Sequence, residues 1–252
     1  MTMSPSFDRD DARQRLADHY NEIARLAGGL AHEIKNPLST IRLNMELLAE
    51  DFRESESARD RRALKRVDTM QRECQRLQDL LDEFLKYTRI RRLDLKPSDL
   101  NEQVGQLLDF FRPKAAQAKI ELIEYLAQGL PTVLLDEEAF RGALINLVIN
   151  AEQAMPDGGQ LVIRTYSTAD GVGLDLIDSG GGMNDETMDR IFQTFYSTKP
   201  GGSGLGLPTV RRIVEAHGGS IDVQSAIGRG TQFTIRLPVP ARLPGDGTRA
   251  TG

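Results

Sequence analysis

The placement of glycine constrains this chain more than any other feature. No glycine occurs between Gly29 and Arg92, and that stretch is dense in charge. Glycine then crowds into the second part, in "DSGGGM" (178–183), "GGSGLGL" (201–207) and "GRGTQF" (228–233). A long charged stretch without glycine favours helix, whereas clustered glycine marks turns and close backbone approaches. The chain therefore has two halves with different grammar.

Within the first half, Val67, Met70, Cys74, Leu77, Leu81 and Phe84 recur at a 3-4-3-4-3 spacing, the seam of a coiled coil or bundle. Leu16, Ile23 and Leu30 recur every seven residues, and Ile41, Met45 and Leu48 continue an apolar face. A polar stretch, "EDFRESESARD" (50–60), separates the two helices. The pattern predicts a helical hairpin over 1–92. Two helices alone leave part of each seam in water, so a homodimer forming a four-helix bundle is expected.

The grammar changes near "RRLDLKPSDLN" (91–101), where a proline and a candidate cap precede a helical pattern. Short apolar runs at 120–126, 132–136, 160–167, 171–178, 220–226 and 231–239 read as strands, with helices at about 137–154 and 207–217. The expected fold class is α+β. The helical hairpin is followed over 93–240 by an α/β sandwich with strands in one layer and helices in the other. The tail 241–252 is expected to be disordered.

Bulk properties exclude several classes. The net charge of −5 argues against a nucleic-acid partner. The sequence has no apolar run long enough for a transmembrane segment and no signal-peptide pattern, so a cytoplasmic location is expected. One cysteine and three histidines make a disulfide framework or a structural zinc site a poor fit.

Individual motifs are ambiguous by themselves. A glycine run leading into a helix suits a phosphate, but such runs are more often turns. Asp178 closes an apolar run and could accept a hydrogen bond from an exocyclic amine, or simply make an Asx-turn. Asn146 and Asn150 share a helical face and could offer oxygens to Mg²⁺, or could cap loops.

The ordered set is far more specific. "LAHEIKNPLST" (30–40), "NLVINAEQAM" (146–155), "DSGGGM", "IFQTFYSTK" (191–199), "GGSGLGL" and "GTQF" resemble the H, N, G1, F, G2 and G3 boxes of the sensor histidine kinases of two-component signalling. The likeness runs from about residue 20 to 240. It implies a dimerisation and phosphotransfer hairpin followed by a Bergerat-type ATP-binding domain, hence a protein-histidine kinase. By this resemblance, His32 is the phosphorylated nucleophile and Glu33 its base and orienter. Asn36, one turn on, aligns water for dephosphorylating a response regulator, and Pro37 bends the helix. The ATP site would comprise Asn146, Asn150, Asp178, Gly180, Gly182, Lys199, Gly202, Gly204, Leu205 and Gly206. Asn150, with Asn146, would hold Mg²⁺, Asp178 would read adenine, and Lys199 would stabilise the transferred phosphoryl group. The glycines at 202, 204 and 206 would let a lid hinge. Phe192, Phe195 and Tyr196 are lid anchors or ordinary core aromatics. Arg141 and Gln153 lie near the implied phosphates, and the sequence assigns neither.

Related ATPases of this fold carry a glutamate four residues before the magnesium asparagine, as a base for water. Here that position is Asn146, which favours transfer to a protein over hydrolysis. A non-catalytic dimeric scaffold, the alternative, would not require His32, Asn150, Asp178 and the glycines together. The expected partners are a second copy and a response regulator receiver domain. Only 29 residues precede the H box. A separate sensory partner is therefore expected, unless the chain is a piece of a longer protein.

Overall fold

The computed structural model describes residues 34–50, 52, 57–89, 93–199 and 202–240. His32, Glu33 and the tail 241–252 lie outside them, as do 51 and 53–56 of the polar stretch at 50–60. The chain divides into two compact units, Met1–Arg91 and Arg92–Gly252.

In the first unit, helix α1 spans residues 34–50 and helix α2 spans Ala58–Arg89. α1 is helical through Pro37. The expected bend concerns the turn starting at Glu33, outside the described residues. Leu38, Met45 and Ala49 of α1 pack with Val67 and Cys74 of α2, and Leu64 lies against them. The cluster is bordered by a Lys35–Asp82 ion pair and by Gln78, whose amide donates to Ser39 Oγ at 3.5 Å. The seam therefore splits. Residues 67 and 74 face the partner helix of the same chain, while Met70 and Leu77 are exposed. On α1, Ile34, Ile41 and Leu48, seven apart, are likewise exposed, so only Met45 of the expected Ile41–Met45–Leu48 face is buried.

The second unit is a five-stranded sheet covered by helices. β1 (Lys96–Ser98) pairs antiparallel with β3 (Val133–Leu135). The main sheet has the order β2-β4-β5-β7-β6, from β2 (Ile120–Leu126), β4 (Gly159–Ser167), β5 (Gly171–Asp178), β7 (Thr231–Pro238) and β6 (Ser220–Ser225). β2 and β4 run parallel and the other neighbours antiparallel. α3 (Leu100–Gln117), α4 (Glu137–Ala154) and α6 (Gly206–Ala216) pack against it, and a single turn, α5 (Asp185–Met188), lies between β5 and α6. Strand alternation puts Leu161, Ile163, Val172, Leu174, Leu176, Phe233, Ile235 and Leu237 on one buried face. Asp175 points the other way and is also buried. Its carboxylate meets Arg164 at 2.6 Å and accepts from Thr234 Oγ1 at 2.8 Å.

Two details depart from the sequence reading. β1 was not expected as a strand, because Pro97 and a length of three leave no alternation to read. α3 continues to Gln117 through Pro113, beyond the apolar run that announces it. Among the described residues no helix is long and apolar enough to cross a membrane.

Candidate active site

The site is built on α4. Asp136 caps it: its carboxylate accepts from Ala139 N–H at 3.0 Å and from Asp94 N–H at 3.0 Å. The Asp136 N–H donates to His217 Nε2 at 3.0 Å, joining the start of α4 to the end of α6. Phe140, Ala143, Leu144, Leu147, Val148 and Ala151 bury one face of the helix. Asn146, Asn150 and Gln153, at helical spacing, share another.

Lys199 reaches this polar face from the segment before α6. Its ammonium donates to Asn150 Oδ1 at 3.0 Å and to Gln153 Oε1 at 2.6 Å. Although Lys199 is exposed as a residue, withdrawal of its ammonium from water lowers its pKa, and the Asp178 charge acts in the opposite sense. Asn146 is not part of this contact. It lies beside the start of α6, where a Cβ on Gly206 would stand 3.7 Å from its Oδ1. The amide oxygens of Asn150 and Gln153 thus already collect one cation. Neutral oxygen donors of this kind fit Mg²⁺, which takes oxygen ligands and shares them with phosphates.

Asp178 ends β5 and is buried. Burial raises its pKa, opposed by hydrogen bonds and by Lys199. Oδ1 accepts from Gly180 N–H at 2.9 Å and from Thr231 N–H at 3.2 Å, so one carboxylate oxygen is held by two backbone amides. The following loop is pressed against its neighbours. A Cβ at Gly180 would lie 2.6 Å from Ala154 O, and one at Gly182, where φ is +65°, would lie 2.0 Å from Ala226 O. These two glycines therefore serve close loop packing around Asp178.

The segment leading into α6 is folded on itself. Phe195, at φ 64°, donates its N–H to Gly204 O at 3.0 Å, and its ring is exposed. Arg190 stacks over Tyr196 at 4.2 Å and Arg211 over Phe192 at 5.5 Å. None of the three aromatics lies in the main core. Leu205, buried, occupies the N-cap position of α6, and Gly206 opens the helix, whose first N–H groups have no helical partner. A helix start of this kind favours an anion. In the first unit, Asn36 is exposed on α1 and its carbonyl accepts from Thr40 Oγ1 at 3.1 Å.

Comparison with known proteins decides the family. Residues 22–93 match the model of the His Kinase A (phospho-acceptor) domain, and residues 135–241 that of the histidine kinase-, DNA gyrase B- and HSP90-like ATPase. The chain belongs to the sensor histidine kinases. It is 38% identical to sensor histidine kinase ZraS of Klebsiella oxytoca over 218 residues, 86% of this chain and 46% of that protein. It is 36% identical to ZraS of Escherichia coli K12, covering 90% of this chain and 49% of that one. The chain thus spans about half the length of these curated relatives. Full-length ShkA, solved in complex with AMPPNP, superimposes with a TM-score of 0.67 at 27% identity, over 85% of this chain and 45% of that one.

Within the kinase, Asn36 falls in the first matched range and every described candidate ATP-site residue in the second. The structure brings Asn150, Lys199 and Asp178 to one place. It adds two residues that the motif reading left without a role. Gln153 shares the ammonium with Asn150, and the Thr231 amide holds Asp178. Both lie inside recognised motifs, Gln153 one turn past Asn150 in "NLVINAEQAM", where sequence reading singles it out without a role, and Thr231 within "GTQF".

Proposed function

We propose that this kinase transfers the γ-phosphoryl group of ATP to His32 and passes it to an aspartate of a response regulator. The observation that carries the reading is the meeting of a cation-collecting amide face, a backbone-held buried carboxylate and a helix start within one unit. Asp178 has an acceptor for an adenine amino group, Asn150 and Asn146 offer oxygens for Mg²⁺, and the start of α6 suits phosphates. Bound Mg²⁺ would neutralise phosphate charge during transfer. The Lys199 ammonium and the backbone of Gly202, Gly204, Leu205 and Gly206 complete the phosphate side. The relation to ShkA, solved with AMPPNP, supports a nucleotide of this class.

In the first half, His32 is the nucleophile: a bond forms from its ring nitrogen to the γ-phosphorus as the bond to the ADP oxygen breaks. Glu33 holds the other ring nitrogen. Asn36 aligns water for the phosphatase reaction, in which water takes the phosphoryl group from the regulator's aspartate and releases inorganic phosphate. The domains are assigned as 1–92 for dimerisation and phosphotransfer and 93–240 for catalysis. The exposed stripes of α1 and α2 support a homodimer closing a four-helix bundle. Use of ATP and a receiver domain favours a cytoplasmic location for these units.

The test is incubation of the purified chain with Mg²⁺ and γ-labelled ATP, beside His32→Gln. Acid-labile, alkali-stable label on the wild type alone is expected. Label that persists on His32→Gln would overturn the nucleophile assignment.

A further inference from the structure

Lys199 is a charged side chain whose hydrogen bonds go to two neutral amides, with the Asp178 charge acting on it besides. Among the described residues it faces Asn150 and Gln153, and the shorter contact, 2.6 Å against 3.0 Å, is to Gln153. Its backbone takes part in local hydrogen bonds. Lys199 N–H donates to Ser197 Oγ at 3.1 Å, and Lys199 O accepts from Gly202 N–H at 3.1 Å. Gly202 sits so close that a Cβ there would lie 2.3 Å from Ser197 Oγ.

An ammonium group can only donate, and it suits several oxygens at once. Asn150 Oδ1 cannot serve that ammonium and a divalent cation together, because the two positive charges repel across one oxygen. Gln153, one turn further along α4, offers a second oxygen that a metal on Asn150 leaves available. A neutral amide also releases a cation to a phosphate more readily than a carboxylate would.

We propose that Gln153 is a positioning residue which holds the Lys199 ammonium beside the metal position, so that Lys199 yields Asn150 to Mg²⁺ and remains at hand for the terminal phosphate. Gln153 acts through Lys199, which touches the phosphate. This inference rests on the nucleotide-site reading above. Lys199 then stands in for Mg²⁺ before the metal enters and competes with it for Asn150. Both effects have the same sign: removing Lys199 weakens metal-free binding and strengthens the gain from metal.

The experiment measures ADP affinity by titration calorimetry on the full chain, with Mg²⁺ and with EDTA. The ratio of the two dissociation constants, metal-free over metal-bound, is compared among variants. Lys199→Met should raise the ratio about tenfold, the scale of one hydrogen bond to a charged group. Gln153→Ala should lower it, and so should Gln153→Met, which keeps the length and removes the acceptor, because the ammonium then keeps Asn150 as its remaining partner and competes with the metal. In the Lys199→Met background neither Gln153 change should add anything, a non-additivity that a merely structural role would not produce. Additive effects, or an unchanged ratio in the single variants, would overturn the role of Gln153. A wild-type chain that binds ADP under neither condition would instead overturn the nucleotide-site reading itself.

Discussion

The two units solve the burial problem differently. The α/β unit closes its own core: Phe111, Phe140, Leu107, Leu144, Leu161 and Leu174 are fully buried within one chain. The hairpin does not. It buries Leu38, Met45, Ala49, Val67 and Cys74, and leaves Ile34, Ile41, Leu48, Met70 and Leu77 in water. A helix pair with apolar residues on two sides has one side in excess for a single partner. In the proposed homodimer, stability of the first unit would be tied to a second copy and to its concentration, while that of the second unit would be intrinsic.

The sharpest way to break this comparison is Leu77→Asp. Placing a charge in the closed bundle loses burial worth about 1.5–3 kcal/mol per side chain, twice in a dimer, and adds a desolvated carboxylate. The expected outcome is dissociation, read by light scattering, with melting of the hairpin no longer dependent on concentration. An unchanged mass at micromolar concentration would remove the reason for calling the stripe an interface. Phe140→Ala is the counterpart in the other unit. It should cost about 3–5 kcal/mol through a cavity and leave the oligomeric mass as it was. Thermal denaturation at two concentrations checks both halves of that statement.

Sequence patterns foretold elements and missed particulars, for reasons specific to each. β5 and α4 appear with the bounds read from the chain, since the one is an apolar run closed by Asp178 and the other a helical pattern between strand-like runs. The seam at 67–84 was legible as apolar, but not which residues face the same chain. Heptad spacing is common to both faces, and only packing separates Val67 and Cys74 from Met70 and Leu77. At the site, Asn150 and Asp178 stood out because their motifs are ordered along the chain. The Gln153–Lys199 contact spans 46 residues and leaves no periodic trace. Nor does the Thr231 amide on Asp178, because a backbone donor is supplied by the fold and not by a residue type.

The α/β unit also contains two aspartates with opposite relations to stability. Burial alone would raise the pKa of Asp136, but hydrogen bonds from the Ala139, Asp94 and Glu138 amides and the nearness of His217 bring it below the ordinary carboxylate value. Its contribution is present above that ordinary value and is lost as pH falls through the lowered one. Asp136→Ala should therefore cost about 1–2 kcal/mol at neutral pH, the scale of a lost cap, and the difference from wild type should shrink in acid. Denaturant titrations across that range would detect it. A cost that stays constant down to strongly acidic pH would show that the charge is not the source.

Asp178 should behave in the reverse sense. Burial holds its pKa above the ordinary value despite the Gly180 and Thr231 amides and the Lys199 charge. A carboxyl group shifted upward in the folded state favours folding fully below the ordinary value, and that advantage fades as pH rises through the folded value. At neutral pH the unit thus carries a buried charge that its own fold does not reward. Asn at this position keeps an oxygen for the two backbone donors and removes the charge. Asp178→Asn should leave stability unchanged or raise it by up to about 1 kcal/mol, and should flatten its pH dependence between acid and neutrality. It should also weaken ADP binding, because the amide's nitrogen cannot accept from an adenine amine. Paired unfolding and binding titrations on the one variant separate the two effects. Loss of stability at neutral pH would mean that the charge helps to hold the loop. Stability kept with affinity lost would mean that this carboxylate is maintained at the expense of the fold, for a ligand that the unit does not need in order to be folded.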